Sequence, residues 1–187
     1  MYHTHEVTGS TPVEAILAKG GEFPALLFCL APMLSLIRLD DRLIHGQVMA
    51  VWVRQLSITR ILVLDDETAA DEFARNLMQM AMPSQVKFDV APVAAAAERL
   101  AELQHSPARA LVLLKRVEDA CAVHERWPLP HLNVGNLGMR DGRRLIWRTV
   151  ALSTNERRAL QQLQSAGVEV FLQMVPADPK LPLPPAE

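Results

Sequence analysis

The stretch L-I-R-L-D-D-R-L-I-H-G-Q-V, residues 36–48, decides the fold of this chain. A short apolar run, typical of a buried strand, breaks into a charged turn, and the turn leads to His45 and Gly46 at the start of an amphipathic segment. This order predicts a strand, a loop and a helix. In open α/β sheets ligands bind at the carboxyl ends of strands, and the free N–H groups of a following helix favour anions. A histidine at that place is positioned to hold or carry a phosphoryl group.

The composition limits the classes of protein to which the chain can belong. Its 187 residues are half hydrophobic and carry a formal net charge of −2, with acidic and basic residues interleaved. This length suits one domain with a sizeable core, and the charge argues against a nucleic-acid partner, because such proteins usually present a basic face. Cys29 and Cys121 lie far apart in the sequence and form neither a metal-binding spacing nor a disulfide framework.

Apolar runs and helical periodicities alternate along most of the chain. The runs predict strands at 34–39, 60–64, 86–90, 110–114, 132–134, 145–152 and 168–174. Helices are predicted from Gln47 to about residue 56, from Thr68 to the stop at Pro83, at 92–103, at 117–126, and from the capping box at Ser153 to Gly167. With right-handed crossovers this order gives an α/β fold, a mostly parallel, doubly wound open sheet of about seven strands. The loop between 132–134 and 145–152 is too short for a crossover, so we expect these two strands to pair antiparallel at one edge.

Both ends of the chain differ in composition from the segment between them. Residues 23–32 are apolar but too few to span a membrane, and the acidic stretch before them is unlike a signal peptide. We therefore expect residues 1–32 to be an extension outside the fold and residues 33–175 to form the folded domain. From Pro176 onward there are five prolines in ten residues, which predicts that residues 176–187 form an extended tail.

Several separate motifs resemble one family. They are R-L-D-D-R-L-I-H-G-Q-V at 38–48, W-V at 52–53, I-L-V-L-D-D-E at 61–67, D-E-F at 71–73 and N-V-G at 133–135. In this order they resemble the IIB subunit of the mannose/fructose/sorbose family of the bacterial sugar phosphotransferase system, and the match runs from about residue 34 to about residue 178. In that family the histidine of the H-G-Q motif is phosphorylated, which carries over here to His45.

The resemblance also implies partners for the chain. A IIA phosphohistidine would donate the phosphoryl group to His45, and a hexose-type sugar held by membrane-embedded IIC and IID subunits would receive it. The chain would then work in the cytoplasm beside its membrane partners, with neither a metal nor another cofactor. Whether it also forms a homodimer is left open.

The charged turn allows a structural and a functional interpretation. Asp40, Asp41 and Arg42 could form a solvated turn, for which aspartate is an ordinary choice. In the functional interpretation Arg42 neutralises phosphoryl oxygens, and one of the two aspartates accepts a ring N–H of His45 and so fixes its tautomer. The resemblance favours function. Arg38 lies within the strand, where its side chain suits a sheet face, so it is not placed in the site.

Three further residues are assigned to substrate or phosphate binding. Gly46 and Gln47 follow the histidine in the motif, and Asp66 belongs to an acidic run at the end of the next strand. In the family this run lies in the loops around the active histidine. A magnesium site would require further oxygen ligands that the sequence does not identify.

Asn136 departs from the family pattern, where glycine usually stands at this position. Glycine and asparagine are the two residues that most readily adopt left-handed backbone geometry, so the turn can survive the change.

Two other functions remain as alternatives to a sugar phosphocarrier. A receiver-like module would hold magnesium with Asp65 and Asp66 and place Lys115 near a phospho-aspartate, but only Asp89 is then offered as the acceptor. A purely regulatory protein would be phosphorylated at His45 and would signal without sugar transport.

Overall fold

The computed structural model describes residues 34–185, without the side chains of Gln47 and Val48. The strands are β1 (Leu34–Asp40), β2 (Arg60–Leu64), β3 (Lys87–Ala91), β4 (Ala110–Leu114), β5 (His131–Asn136), β6 (Arg144–Trp147), β7 (Val150–Leu152), β8 (Glu169–Leu172) and β9 (Leu181–Pro182). The helices are α1 (Gly46–Gln55), α2 (Asp66–Ala70), α3 (Glu72–Met80), α4 (Ala96–Gln104), α5 (Val117–Arg126) and α6 (Thr154–Ser165). The extension predicted for residues 1–32 lies outside the described residues, and so does Cys29.

Seven strands form one sheet in the order β3-β2-β4-β1-β5-β8-β9. All neighbours are parallel except β8 and β9, which pair antiparallel. The predicted mostly parallel sheet of about seven strands with an antiparallel edge is therefore confirmed.

Among residues 34–185 no helix is both long enough and apolar enough to cross a membrane.

The two faces of the sheet carry separate hydrophobic clusters. Helices α4, α5 and α6 cover one face through residues such as Leu100, Val123 and Leu160. Helix α1 covers the other face with Trp52, which packs with Phe171 of β8. Because the helices after the adjacent strands β1 and β4 lie on opposite faces, the loops at the ends of these strands diverge. Such a divergence opens a crevice at the carboxyl edge of a sheet.

The helix predicted from Thr68 to Pro83 is wrong in one respect, because it is two helices. Asp71 stands between them with an extended backbone at ψ 101°, and its side chain accepts a hydrogen bond from the N–H of Ala74. An aspartate in this geometry is an N-cap, so it begins a new helix rather than continuing the old one. The apolar side chains of Phe73 and Met80 on α3 are exposed to solvent.

The last third of the chain contradicts two predictions. Residues 145–152 are not one strand but a separate hairpin, β6 and β7, which turns at Arg148 with a φ of 36°. Strand β5 does not pair antiparallel with this segment, because it lies parallel between β1 and β8. The antiparallel edge comes instead from the proline-rich tail, where Leu181 and Pro182 pair with β8. Proline is tolerated in such an edge strand because its missing N–H can face away from the ladder.

Candidate active site

The loop after β1 places His45 at the N-terminus of α1. Leu43 is 3% exposed and has a φ of 53°, so a buried side chain anchors the middle of the loop despite its left-handed backbone. The carbonyl of Asp40 accepts the N–H of Leu43 at 3.0 Å. His45 follows as the N-cap residue of α1 in extended geometry, and its side chain makes no capping hydrogen bond. The imidazole is therefore not used to begin the helix.

The His45 ring is partly exposed and only loosely held. Its side chain is 25% exposed, and Nδ1 lies 3.8 Å from Oδ1 of Asp40. This separation suits an ion pair with a protonated ring but is too long for a hydrogen bond. Nδ1 is buried and has no hydrogen-bond partner among the described residues. One ring nitrogen thus faces a carboxylate that can orient the imidazole.

Asp40 is the buried centre of the site. It is 1% exposed, and its Oδ2 accepts hydrogen bonds from Nε and Nη2 of Arg38 at 3.1 and 2.8 Å. Its Oδ1 accepts the N–H of Arg42 at 3.2 Å and the amide of Asn136 at 3.4 Å. Burial lowers the pKa of the Arg38 guanidinium, while the charge of Asp40 and its hydrogen bonds oppose this effect. The two charges therefore stabilise one another away from water.

Asp41 braces the loop rather than contacting the histidine. Its carboxylate accepts the amide of Asn136 at 2.7 Å and the N–H of Gly138 at 2.8 Å, and it lies 3.7 Å from Arg140. These bonds tie the β1 loop to the loop after β5. Of the two aspartates between which the sequence left the choice open, Asp40 is the one beside His45.

Asn136 connects the two aspartates with its side-chain amide. The expectation of left-handed geometry is wrong here, because Asn136 lies in β5 and does not have a positive φ. The asparagine thus contributes through its side chain, which glycine lacks.

Arg42 is exposed in the turn after β1. Within residues 34–185 its guanidinium has no ion pair or side-chain hydrogen bond, and only its backbone N–H is used, by Asp40. A free guanidinium offers parallel donors that match the oxygens of a phosphoryl group.

Comparisons with known proteins decide the family. A sequence model described as "PTS system sorbose subfamily IIB component" matches residues 34–185. The chain belongs to this family. It therefore takes part in sugar phosphotransfer as a IIB component, which confirms the resemblance seen in the motifs.

Individual relatives agree with this membership. The fructose-specific EIIB component of Bacillus subtilis is 30% identical over 144 residues, 76% of this chain and 88% of that protein. The mannose-specific EIIAB component of Escherichia coli is 30% identical over 150 residues, 80% of this chain but 46% of that protein. The crystal structure of the IIBSor domain of the sorbose permease from Klebsiella pneumoniae superposes with a TM-score of 0.73 at 29% identity, covering 79% of this chain and 91% of that chain.

The remaining predicted site residues of this IIB component lie in different surroundings. Gly46 is exposed with a φ of 22°, at the first turn of α1. The side chain of Gln47 lies outside the described ones. Asp66 is exposed at the start of α2, and its Oδ1 accepts the N–H of Val93 at 2.8 Å. That bond ties the end of β2 to the segment after β3.

The acidic run at the end of β2 does not resemble a metal centre. Asp65 is buried, and its Oδ2 accepts the N–H and the hydroxyl of Thr68 at 2.9 and 2.6 Å. Glu67 pairs with Lys115 at 2.6 Å. Across residues 34–185 no group of three histidine, cysteine or acidic side chains could hold a metal ion.

Arg38 is the residue that sequence reasoning missed. Arg38 lies in β1, as the sequence predicts, but it is 1% exposed and bonded to Asp40. The signal was present in the R-L-D spacing, because residues two apart in a strand point to the same face. An arginine inside an apolar parallel strand also requires a buried partner.

Proposed function

We propose that this IIB component is a phosphocarrier that accepts a phosphoryl group on His45 from a IIA phosphohistidine. It then passes the group to a hexose-type sugar held by IIC and IID membrane subunits, and it works in the cytoplasm beside them. The observation that carries the proposal is the partly exposed His45 ring, which caps nothing and lies 3.8 Å from the buried carboxylate of Asp40. The exposed side chain of Arg42 belongs to the same loop, three residues before the histidine. The name EIIAB of the mannose relative supports a IIA partner.

The chemistry has two steps, of which the first exchanges one nitrogen–phosphorus bond for another and the second replaces a nitrogen–phosphorus bond by an oxygen–phosphorus bond. The lone pair of a neutral ring nitrogen of His45 attacks phosphorus in line, and the bond from phosphorus to the IIA histidine breaks. In the second step a sugar hydroxyl attacks the same phosphorus, the bond to His45 breaks, and the hydroxyl proton passes to a base. Such transfer depends mainly on positioning and on electrostatic stabilisation of the phosphoryl oxygens.

The surrounding residues supply these two requirements. Arg42 binds the phosphoryl oxygens through its free fork of N–H donors. The N–H groups at the start of α1 add a favourable field for the transferred anion. Asp40 orients the imidazole and stabilises the positive charge that the ring acquires during transfer.

The receiver-like alternative loses the residues on which it depended. Oδ2 of Asp65 is bonded to Thr68, Asp66 to the backbone of Val93, and Lys115 to Glu67. Asp89 lies within β3 rather than after it. Among the residues that the structure describes, the lysine on which the receiver interpretation depends is therefore occupied by Glu67.

Reconstituted transport tests the proposal. Vesicles containing IIC and IID would be mixed with phosphorylated IIA and a candidate sugar, with and without this chain. We expect sugar phosphate to form only when the chain is added, and not with His45→Ala. His105→Ala is the matched control, because His105 is an exposed histidine at the end of α4. Formation of sugar phosphate with His45→Ala would contradict the proposal. A chain that takes label on His45 but passes none to any sugar would favour the regulatory alternative.

A further inference from the structure

Arg38 occupies an unusual place for a charged residue. It stands in the middle of β1, opposite Leu113 of β4 and Asn133 of β5. Only 1% of it is exposed, so no partner protein can touch it directly. A buried charge costs free energy unless hydrogen bonds and an opposite charge compensate it.

Nearly all donors of the Arg38 guanidinium are used. Two bonds go to Oδ2 of Asp40. Nη1 donates to Oδ1 of Asn133 at 2.6 Å and to the carbonyl of Gln173 at 3.0 Å. The ring of Trp52 lies 5.5 Å from Cζ, within the range of a cation–π contact. These contacts come from four elements or their ends and leave the guanidinium a single orientation.

The backbone leaves room for this group at Gly135. A Cβ placed there would lie 1.8 Å from Cζ of Arg38, so any side chain at this position would displace the guanidinium. The close approach of Arg38 to the β5 backbone thus explains why the N-V-G motif has glycine at position 135.

The bonding of Asp40 is divided between its two oxygens. Both bonds from Arg38 go to Oδ2. Oδ1 faces the loop, where its neighbours are the N–H of Arg42, the amide of Asn136 and Nδ1 of His45. Rotation of the carboxylate would break both bonds to Arg38. The arginine therefore fixes the orientation of the carboxylate, in which one oxygen is directed at the histidine.

We propose that Arg38 is a positioning residue for phosphoryl transfer, which fixes the Asp40 carboxylate through Oδ2 so that Oδ1 faces the His45 ring. This inference rests on the proposed role of His45 as the phosphoryl acceptor. Arg38 acts through Asp40 and touches neither the phosphoryl group nor the partner. A misplacement of about 1 Å in such a site can reduce a rate by about 100-fold.

The first test separates transfer from partner binding. Transfer from phosphorylated IIA would be followed by rapid quench at a series of IIA concentrations for the parent, Arg38→Lys and Arg38→Gln. We expect kcat to fall about 10- to 100-fold and KM for IIA to change less than about twofold, because the side chain is buried. A change confined to KM, or a kcat within twofold for both variants, would overturn the proposal.

The second test asks whether Arg38 acts through Asp40. In an Asp40→Asn background, Arg38→Gln should slow transfer by less than about a further twofold, because the carboxylate that it positions is already gone. An unchanged factor in both backgrounds would mean that Arg38 acts independently of Asp40, which contradicts the proposal.

Gly135→Ala provides a variant that leaves Arg38 in the chain. The added methyl should displace the guanidinium and lower kcat in the same direction as Arg38→Gln. This variant keeps the proposal falsifiable if the Arg38 variants fail to fold. A kcat within twofold of the parent for folded Gly135→Ala would count against it.

Leu103→Ala controls for a general loss of stability. Leu103 is 1% exposed in the last turn of α4, a helix on the face opposite α1. A buried leucine truncation of this kind destabilises the fold and lowers the melting temperature. We expect its kcat to stay within twofold of the parent. If kcat instead falls as far as in Arg38→Gln, the effect of the Arg38 variants is explained by lost stability, which contradicts the proposal. If His45→Ala still accepts label, the proposed function itself fails; if only the Arg38 variants are unaffected, this inference alone fails.

Discussion

Two loops of the molecule begin with the same three residues. Leu39-Asp40-Asp41 ends β1 and Leu64-Asp65-Asp66 ends β2, and both strands run parallel with their carboxyl ends at one edge of the sheet. In the β2 loop each acidic side chain has a structural partner: Thr68 for Asp65, Val93 for Asp66 and Lys115 for Glu67. In the β1 loop the aspartates are bonded as well, but the same loop carries two side-chain groups that have no hydrogen bond within residues 34–185.

Those two groups are the His45 ring and the Arg42 guanidinium. Within residues 34–185, Nδ1 of His45 has no hydrogen-bond partner and the Arg42 side chain has no bond. The β2 loop also leaves one described atom unbonded, Oδ1 of Asp65, but Asp65 is 0% exposed. The comparison teaches that a site differs from a structural turn by unbonded groups that are also exposed to solvent on a rigid support. The predictions below test this difference, from the largest expected effect to the smallest.

Removing the His45 imidazole should have the largest effect. We expect His45→Ala to accept no phosphoryl group from phosphorylated IIA, because no other nitrogen of the loop can attack phosphorus. The free energy of unfolding should change by less than about 0.5 kcal/mol, since the ring makes no hydrogen bond within residues 34–185. Label retained after alkali treatment measures acceptance, and thermal unfolding measures stability. Alkali-stable label on the variant equal to that of His105→Ala would remove His45 from the mechanism.

Arg42 should follow, with a loss in rate but not in stability. If its fork binds phosphoryl oxygens in the transition state, Arg42→Ala and Arg42→Lys should each lose about 2–3 kcal/mol, or roughly 30- to 150-fold in transfer rate. The melting temperature should stay unchanged, because the side chain is exposed and unbonded. Arg126→Ala, at the far end of α5, is the matched control. Rates within twofold of the parent for both variants would show that the free guanidinium is incidental.

In the β2 loop the effect should be reversed. Asp65→Ala removes the N-cap of α2 and should lower the free energy of unfolding by about 1–2 kcal/mol, while the transfer rate stays within twofold. Asp71→Ala is the control, because it also removes a helix N-cap, that of α3, but at an exposed position. Asp66→Asn should also keep the parent rate, because its bond to Val93 argues against a direct role in phosphate binding. A tenfold loss of rate in Asp65→Ala or Asp66→Asn would place the β2 loop in the site and abolish the contrast.

The smallest effect is expected at Glu67. The hydrogen bond from Lys115 holds the pKa of Glu67 below its usual range. Because the folded pKa is the lower one, this pair stabilises the fold above the unfolded pKa, and the contribution disappears as the pH falls through the folded pKa. The melting temperature of Glu67→Gln should therefore lie slightly below that of the parent at pH 7 and coincide with it at low pH or in high salt. A difference that persists in acid would contradict this account of the pair.

The sequence predicted the sheet and the position of His45 because both depend on local patterns. Apolar runs determine strands, and a strand followed by a charged turn and an amphipathic segment determines the loop. The division of the helix at Asp71 was missed, because an aspartate three residues after Thr68 suits a capping box as well as a second N-cap. The strand in the tail was not predicted, because β9 depends on pairing with β8 and no local pattern in residues 176–185 indicates that pairing.

The hydrogen bonds within the site were harder to predict than the position of the site in the sequence. The partners of Arg38 include Asn133, which is 95 positions away in the chain. Likewise, the sequence does not tell which of two adjacent aspartates faces the histidine. The answer depends on Asn136 and Gly138, which bind Asp41. Long-range hydrogen bonds of this kind appear only when the sheet is assembled.

Locating the transferred phosphoryl group tests the central claim most directly. The intact chain would be phosphorylated by a IIA protein, digested under alkaline conditions that preserve phosphohistidine, and sequenced by tandem mass spectrometry. The account predicts one phosphoryl group per chain, on the imidazole of His45 in the β1 loop. A phosphoryl group on any other histidine, or on Asp65 or Asp66 of the β2 loop when the label is trapped in acid instead, would contradict it.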